Sequence, residues 1–424
     1  MKPSRFKKKW PVTWHQSKNV EAKRKIINDP VFGFINLPTG FLYEVYQHRY
    51  LQRLSRIKQL GMSPYVYPGA QHTRFQHTTG AMYLMMEAVH HLQSKGIDIT
   101  PAEADAVTAA ILLHDIGHGP FSHVLEHSII KGVSHEEISI RLMERMNLTF
   151  NGKLDLAIAI FKDEYSKKFL HQLVSGNLDM DRLDYLRRDS FFSGVTEGNI
   201  GSARIIKMLN VVDDKLVVEA KGIYSIENFL LSRRLMYWQV YLHKTSLAAE
   251  KMLQNLLQRA CDLAEAEECP EASPALTHFL NGNQREGILT NRDLDYFEQL
   301  DDTDIWAAIK NWQYHPDFVL STLSKGLLER KLFKIEMGNA EPDPQRIEAK
   351  LLAIMSTFSL TKEEAGYFTS LSSVSSNMYS EDDDSIDILF NSGDIVPITK
   401  ASDMLNLELL SKEVIKHVYT YIRL

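Results

Sequence analysis

Hydrophobic positions in the first two thirds of the chain recur mostly at the three- and four-residue spacing of an α-helix. The spacing predicts a helical run from about Leu42 to Leu60, and Gly61 ends it. A long helical stretch is predicted from residue 223 to 268, where Pro270 stops it. Further helices are predicted at 75–94, 101–116, 121–130 and 134–146, and from about Met180.

Two short stretches interrupt this helical pattern with the alternation that is typical of strands. Residues 26–38 contain Asp29, Pro30 and Gly33 between apolar residues, which predicts a short hairpin. Residues 210–220 predict a second hairpin, whose turn is the polar triplet that begins at Asp213.

The pattern changes again near residue 328, where short alternating segments replace long helices. A strand is predicted at 331–337, a helix at 345–358, strands at 385–390 and 394–398, and a last helix at 406–421. The Ser-rich and acidic segment 370–384 is predicted to be a mobile loop. The expected fold class is mainly α, with small β-hairpins and an α+β C-terminal subdomain. The predicted organisation is an N-terminal extension (1–25), a helical region (26–270), a helical connector (271–327) and the subdomain (328–424).

Composition excludes several classes of protein. The formal net charge of the 424 residues is -6, which argues against a stable duplex-DNA binder, because such proteins present a strongly basic face. The two cysteines, Cys261 and Cys269, are too few for a disulfide framework and lack the spacing of a zinc site. Reduced thiols and a cytoplasmic location are therefore expected. No apolar run reaches the roughly 18 residues of a membrane-spanning helix, so no membrane association is predicted.

The segment ILLHDIGHGPFSH at 111–123 carries the most informative chemistry. An apolar helix delivers His114 and Asp115 side by side, and glycines then break the helix. A buried charge is costly unless it is paired or binds a metal, and a nitrogen beside a carboxylate oxygen suits divalent transition metals. For one isolated pair, a hydrogen-bonded structural role is the alternative. Because His118 and His123 follow within ten residues, the cluster favours a metal site.

This segment resembles the signature of the HD phosphohydrolase superfamily, in particular the deoxynucleoside triphosphate triphosphohydrolases. Three other segments resemble family motifs in the family's order: QRLSRIKQLG at 52–61, YPGAQHTRFQHTTG at 67–80 and LDMDRLDYLRRD at 178–189. The resemblance spans about residues 26–265. It implies that the region 26–270 is an HD catalytic domain with a helical core.

The resemblance implies a divalent metal, which could be Mn, Fe, Zn or Mg. Such an ion polarises the phosphorus centre and lowers the pKa of bound water. The implied ligands are His77, His114, Asp115 and Asp181. For the last of these, Asp179 and Asp184 are alternatives that only the motif match disfavours.

The resemblance also implies a set of residues that contact the substrate. Three histidines would contact the α-phosphate and assist proton transfer: His118, His123 and His135. His123 and His135 both remain candidates for the proton donor, and a capping or surface role is the alternative for His135. Cations for the polyphosphate would be Arg74, Arg182 and Arg233.

Four further positions match residues that recognise a deoxyribose. Gln59 and Asp189 would hydrogen-bond the 3′-hydroxyl, and Leu60 and Tyr241 would close the space beside C2′. A ribose 2′-hydroxyl there would be buried without a partner. Tyr185 would lie near the phosphates and the sugar. For Leu60 and Tyr241, a purely structural place in the core is the alternative.

The chain departs from the family pattern where the vertebrate enzymes bind an activating nucleotide between subunits. Gln47 and Ser55 occupy the positions that read guanine there, and neither residue carries a charge. Guanine-nucleotide activation is therefore not expected to transfer. Lys244 matches a basic residue near the activator phosphates, so a different allosteric nucleotide stays open. A homo-oligomer, either a dimer or a tetramer, is a further expectation from the resemblance.

The leading hypothesis is hydrolysis of a dNTP to a deoxynucleoside and triphosphate. A second is another HD phosphohydrolase, such as a nucleotidase or a phosphodiesterase. The chain lacks the acidic pair after the HD motif of (p)ppGpp hydrolases and the GYP element of cyclic-dinucleotide phosphodiesterases. A third is a non-catalytic nucleotide sensor or single-stranded nucleic-acid binder, in which a degraded ligand set is expected.

Overall fold

The computed structural model of the chain describes residues 25–121, 124–125, 128–130, 132–282, 287–376, 385–404 and 414–424. Within these ranges the chain forms eighteen α-helices and nine strands. The helices are α1 (Phe41–Tyr46), α2 (Arg49–Arg53), α3 (Arg74–Ser94), α4 (Pro101–Leu113), α5 (His135–Thr149), α6 (Asp155–Phe161), α7 (Lys168–Val174), α8 (Met180–Ser193), α9 (Ser202–Met208), α10 (Ile223–Met236), α11 (Lys244–Glu265), α12 (Pro274–Leu280), α13 (Asn291–Phe297), α14 (Asp302–Trp312), α15 (Phe318–Leu328), α16 (Pro344–Phe358), α17 (Lys362–Gly366) and α18 (Ile398–Ala401). The strands are β1 (Ile26–Asp29), β2 (Gly33–Asn36), β3 (Leu209–Val212), β4 (Lys215–Glu219), β5 (Lys334–Gly338), β6 (Thr369–Ser376), β7 (Asp387–Leu389), β8 (Ile395–Pro397) and β9 (Val414–Tyr421).

The centre of the helical core is the packing of α3 against α4 and α8. Capping boxes start α3 and α4, where Thr73 and Thr100 accept the backbone N–H three residues later. Helix α4 is apolar on nearly all sides, and Val107, Ile111 and Leu112 are completely buried. The N-termini of α3 and α8 and the C-terminus of α4 converge, and this arrangement positions the candidate site.

The strands form three small sheets. β1 and β2 are an antiparallel hairpin, β3-β4-β7-β8 form a mixed sheet, and β5-β9-β6 form an antiparallel sheet. The β3–β4 turn is built from Asp213 and Asp214, both with positive φ, as a tight hairpin turn requires. β7 pairs in parallel with β4, so that Val217 lies beside Asp387 and the C-terminal strands extend the second hairpin.

Most of the predicted elements are confirmed: both hairpins, the helices α3, α4, α5, α8 and α16, and the short strands β5, β7 and β8. The expected fold class is confirmed with them. Residues 122, 123, 126 and 127 of the helix predicted at 121–130 lie outside the described ranges, as do residues 1–24 of the extension 1–25. Within those ranges, every helix is too short or too polar to cross a lipid bilayer.

Two of the predicted helical stretches are interrupted. The run from Leu42 to Leu60 divides at His48, which has an extended backbone and caps α2 through its own Nδ1. The stretch 223–268 divides into α10, a π-helical segment from Tyr237 to Tyr241, and α11, which His243 caps in the same way. Apolar spacing does not reveal these breaks, because the buried face continues across each of them.

Two predictions in the C-terminal part are wrong. Residues 414–421 are the strand β9, not the end of a helix, and residues 405–413 lie outside the described ranges. β9 is the central strand of its sheet, and Val418, Tyr419 and Tyr421 are all buried, which hides the alternation of a strand. Residues 370–376 of the predicted loop belong to the edge strand β6.

Candidate metal centre and nucleotide site

Three side chains from three helices converge on one point. His77 comes from the first turn of α3, His114 caps the C-terminus of α4, and Asp181 lies in the first turn of α8. Nε2 of His77 is 3.0 Å from Oδ1 of Asp181 and 3.4 Å from Nε2 of His114, which is 3.5 Å from the same oxygen. Metal–ligand bonds of about 2.1 Å at right angles separate two ligand atoms by about 3 Å. The three atoms therefore fit around one divalent ion.

Asp115 lies at the edge of this cluster. Its Oδ1 is 3.3 Å from Nε2 of His114, and its Oδ2 is 3.9 Å from Nε2 of His77. Arg74 donates to the same Oδ2 from Nη1 at 2.7 Å. The carboxylate thus faces the cluster while an arginine holds it from the other side.

The other ring nitrogen of each histidine is held in place. Nδ1 of His77 is 2.7 Å from Oδ2 of Asp184, and Nδ1 of His114 is 2.6 Å from the carbonyl oxygen of Ile111. Because carboxylates and carbonyls only accept, both Nδ1 atoms carry the hydrogen. Once each imidazole is neutral, its Nε2 lone pair therefore faces the cluster, as metal binding requires. Asp184, an alternative ligand, thus contacts His77 on the side away from the cluster. Asp179, the other alternative, caps α8 and pairs with Arg182.

The electrostatics of the cluster also favour a cation. Burial by itself lowers the pKa of His77, but its bonds to Asp181 and Asp184 outweigh burial and raise that pKa to about 10. Burial likewise opposes the charge on Asp181, and the two histidines hold the pKa of its carboxyl well below the usual range. Protons on the imidazoles thus balance buried carboxylate charge, and a divalent ion would take over that role.

Two glycines allow the close packing of this centre. A Cβ at Gly80 would lie 1.9 Å from Oδ1 of Asp184, so a side chain there would displace the carboxylate. A Cβ at Gly117 would lie 2.0 Å from the carbonyl oxygen of His135. Ser139 of α5 links the same two segments, since its hydroxyl accepts from the Gly117 N–H and donates to the His114 carbonyl.

The close packing at Gly117 brings two of the predicted histidines together. His118 and His135 stack with ring centroids 3.9 Å apart, and Nε2 of His118 is 3.2 Å from Oδ1 of Asp115. Burial, followed by the charge of Arg74, holds the pKa of His118 well below its ordinary value. His118 is therefore neutral beside the cluster. His123, the third predicted histidine, lies outside the described residues.

Two guanidinium groups, one buried and one half-buried, lie near Tyr185, and one of them is also near Asp181. Arg233 is only 8% exposed, and its Nε and Nη1 have no hydrogen-bond partner in the described part of the chain. Arg182 pairs with Asp179, yet its Nε is also buried without a partner. A buried N–H group without an acceptor is unfavourable, so an anion at this place would stabilise both side chains.

Tyr185 connects the cluster to the predicted sugar residues. Its ring centroid is 6.5 Å from that of His77 and 6.0 Å from that of Tyr241. Burial raises the pKa of its hydroxyl, and Arg233 and Arg182 lie close enough to oppose this rise. The cluster, Tyr185 and Tyr241 thus form one continuous group of side chains, with Arg182 and Arg233 near Tyr185.

At the far end of this group, the Tyr241 hydroxyl donates a 2.8 Å hydrogen bond to Oδ2 of Asp189. Oε1 of Gln59 is buried and has no partner in the described residues, and Leu60 next to it is buried. The Gln59 N–H donates to the carbonyl oxygen of His72, whose ring contacts Asp189, so the structure brings Gln59, Asp189 and Tyr241 together. Gln47, Ser55 and Lys244, by contrast, are exposed.

The sequence did not single out two residues that support the site. Arg53 is completely buried and donates to the carbonyl oxygens of Ile116, His118 and Leu300, so it fixes the loop after the HD pair. His72 contacts Asp189 with Nε2 at 2.6 Å. Both lie within the recognised motif segments, but the contacts that define their roles reach 63 residues or more along the chain.

Comparison with known proteins agrees with this geometry. The HD domain profile matches residues 74–187, and the HD associated region matches residues 200–272. The crystal structure of a phosphohydrolase from Bacteroides thetaiotaomicron superimposes with a TM-score of 0.91 and 61% identity, over 95% of this chain and 100% of that chain.

Two sequence relatives illustrate the range of the similarity. The uncharacterized protein YwfO of Bacillus subtilis is 31% identical over 321 residues, which are 74% of this chain and 72% of that protein. The human deoxynucleoside triphosphate triphosphohydrolase SAMHD1 is 30% identical over 286 residues, which are 57% of this chain but only 45% of the human protein. The similarity to the human enzyme therefore spans less than half of its length.

Proposed function

We propose that this chain, which belongs to the HD-domain phosphohydrolases, hydrolyses deoxynucleoside triphosphates to a deoxynucleoside and triphosphate. The observation that carries the proposal is a continuous group of neighbouring side chains. It runs from the His77–His114–Asp181 cluster, past Tyr185, to the Tyr241–Asp189 pair. This group combines a candidate cation site, guanidinium groups and side chains that can bind hydroxyls. A nucleotide with several phosphates is a substrate that would contact all three parts.

The residues suited to hold a divalent metal are His77, His114, Asp181 and, after release from Arg74, Asp115. Two neutral imidazole nitrogens and two carboxylate oxygens suit Mn, Fe or Zn, and Mg is the remaining candidate. Such a metal supplies a Lewis acid for the α-phosphorus and lowers the pKa of bound water. Its identity is left to measurement.

The reaction requires that water attacks the α-phosphorus and that the bond from phosphorus to the 5′-oxygen breaks. The departing 5′-oxygen needs a proton, and the water must lose one. The stacked pair His118 and His135 lies beside Asp115 and can hold the α-phosphate and supply that proton. His118 is buried and neutral, so we assign it to hydrogen bonding, and His135 or His123 to proton donation.

Arg233, Arg182 and Arg74 are proposed to bind the phosphates. The unpartnered N–H groups of Arg233 and Arg182 would gain charged acceptors, and each such bond contributes about 1.5–3 kcal/mol. Arg74 would exchange its bond to Asp115 for a phosphate oxygen when the carboxylate turns to the metal.

The sugar is proposed to lie between Gln59, Leu60, Asp189 and Tyr241. Asp189 would accept the hydrogen of the 3′-hydroxyl, and the oxygen of that hydroxyl would accept from the side-chain amide of Gln59. Leu60 and the Tyr241 ring leave no partner for a 2′-hydroxyl. A buried hydroxyl without a partner costs about 1–3 kcal/mol, so ribonucleotides would be disfavoured about 5- to 150-fold.

Product analysis tests this proposal. Purified full-length protein with a measured metal content would be incubated with Mn and each dNTP, alone and in mixtures. We expect equimolar deoxynucleoside and triphosphate, and mixtures would expose an activating nucleotide. Release of inorganic phosphate or pyrophosphate without triphosphate would contradict the reaction and support another HD phosphohydrolase. Tight retention of nucleotide without turnover would support a sensor.

We also propose that the chain forms a dimer or a tetramer, as its resemblance to nucleotide-regulated dNTP hydrolases implies. Light scattering with and without nucleotides tests this. A monomer under all conditions would contradict it.

A further inference from the structure

A chain of hydrogen bonds links three side chains at the sugar end of the site. Nε2 of His72 is 2.6 Å from Oδ1 of Asp189, and the Tyr241 hydroxyl is 2.8 Å from Oδ2 of the same carboxylate. His72 and Asp189 are each only 1% exposed. The two oxygens of Asp189 are thus held from opposite sides, and its rotation is fixed.

His72 also holds the neighbouring acceptor through its backbone. Its carbonyl oxygen accepts from the N–H of Gln59 at 3.0 Å, beside the isolated β-bridge between Lys58 and Thr73. Oε1 of Gln59 remains buried without a partner in the described residues. His72 therefore contacts both residues that were assigned to the substrate 3′-hydroxyl, Asp189 through its ring and Gln59 through the backbone.

The direction of these hydrogen bonds follows from the chemistry of the groups. An ionised carboxylate only accepts, so Nε2 of His72 carries the hydrogen and the Tyr241 hydroxyl donates. Each oxygen of Asp189 keeps a further lone pair for a substrate hydroxyl. No other hydrogen bond uses these lone pairs in the described structure.

The His72 ring is itself held rigidly. It stacks on Phe192 with ring centroids 4.5 Å apart and an interplanar angle of 16°. The loop that carries it packs closely on α8, since a Cβ at Gly69 would lie 2.7 Å from the carbonyl oxygen of Phe192. The imidazole is therefore positioned by the fold before any substrate arrives.

We propose that His72 is a positioning residue that determines sugar specificity. Its imidazole orients Asp189 toward the 3′-hydroxyl, and its carbonyl oxygen holds the backbone of Gln59. Through Asp189 it also fixes the Tyr241 ring beside C2′. Recognition of the 3′-hydroxyl and exclusion of the 2′-hydroxyl are thereby coupled. The inference rests on the proposed function, because it assigns a further role within the same sugar site.

Replacement of the imidazole tests this role. His72→Phe keeps the stacking on Phe192 but leaves Oδ1 of Asp189 without its donor, whereas His72→Gln supplies an amide N–H in its place. We expect His72→Phe to reduce the kcat/KM ratio of a dNTP over its 2′,3′-dideoxy analogue roughly tenfold, mainly through KM. His72→Gln should restore much of that ratio. His90→Phe, at an exposed position of α3, is the matched control and should leave it unchanged.

A purely structural role predicts a different result, namely equal losses on the dNTP and on the dideoxy analogue. Equal losses, or an unchanged ratio in a folded variant, would overturn the proposal. If His72→Phe does not fold, Tyr241→Phe keeps the ring and removes only the hydroxyl. It should lower discrimination against both the dideoxy analogue and the ribonucleotide, and no change in either would also overturn the coupling.

Failure of the proposed function can be distinguished from failure of the inference about His72. If the wild-type protein releases no triphosphate from any dNTP, that function is wrong. Calorimetry with dATP and 2′,3′-dideoxy-ATP then measures the same selectivity as a ratio of dissociation constants. A His72→Phe variant with an unchanged ratio would contradict the inference on its own.

Discussion

Nδ1 of His77 lies 2.7 Å from Oδ2 of Asp184, and both side chains are fully buried. This contact decides which nitrogen of His77 is free to bind a metal. Asp184 is held in turn by Arg188, whose guanidinium donates to it and to Asp29. The metal centre therefore depends on a buried network that reaches the first strand.

Replacement of Asp184 by Asn should weaken metal binding without removing a ligand. The amide accepts less strongly and leaves Arg188 with one carboxylate, so His77 loses its fixed orientation. We expect the Mn dissociation constant to rise about 10- to 100-fold, measured by calorimetry. Asp105→Asn, at an exposed position of α4, is the control. Wild-type affinity in folded Asp184→Asn would show that the contact does not orient His77.

The metal affinity should also depend steeply on pH. The carboxylates around His77 raise its pKa to about 10 against the effect of burial, so below pH 10 a metal must displace that proton. Affinity should therefore increase as the pH rises from 6.5 to 8.5, by about tenfold per unit for each displaced proton. Calorimetry in buffers of different ionisation enthalpy counts the protons. Affinity that is constant across this range would contradict the assignment of a protonated His77.

The candidate metal cluster could be expected from the sequence because its residues lie in segments that resemble the motifs of the HD family. His77, His114 and Asp181 each lie within a turn of a helix terminus that capping residues or glycines mark. Element type along α3, α4 and α8 was predictable because these termini are marked. The cluster did not depend on loops, whose conformation sequence patterns describe poorly.

The supporting residues could not be predicted in the same way. Arg53 acts through carbonyl oxygens of a distant loop, and His72 acts through Asp189, which lies 117 positions further on. Such contacts depend on how the helices pack and have no periodic signal. The π-helical segment that carries Tyr241 interrupts an apolar face that continues on either side of it. β9 resembled a helix because burial on both faces removed its alternation.

The same substitution at Arg233 and at Arg188 should have different effects on the stability of the protein. Arg233 has N–H groups without partners, so Arg233→Met removes an uncompensated buried cation and should change the free energy of unfolding by less than about 1 kcal/mol. Its kcat/KM for a dNTP should fall about 10- to 100-fold, because a charged hydrogen bond to phosphate is lost.

Arg188→Met is the matched comparison. It leaves Asp184 and Asp29 buried without their cation, which should cost about 3–5 kcal/mol of stability. Urea unfolding of both variants measures the difference. If Arg233→Met destabilised the protein as much as Arg188→Met, Arg233 would be a structural residue and not a phosphate-binding one.

Asp302 should make the stability of the protein depend on pH. This carboxylate is 6% exposed, its Oδ2 accepts from the Lys58 N–H at 3.0 Å, and its Oδ1 has no partner in the described residues. Burial raises the pKa of Asp302 to about 6, above the value of about 4 in an unfolded chain. Between these values the folded state binds more protons, so stability falls as the pH rises through 6. Asp302→Asn removes the buried charge, and its advantage over wild type should grow by about 1–1.5 kcal/mol between pH 5 and pH 7.5. Urea unfolding at both pH values tests this, with exposed Asp403→Asn as the control. An advantage that is the same at both pH values would assign the effect to something other than the titration of Asp302.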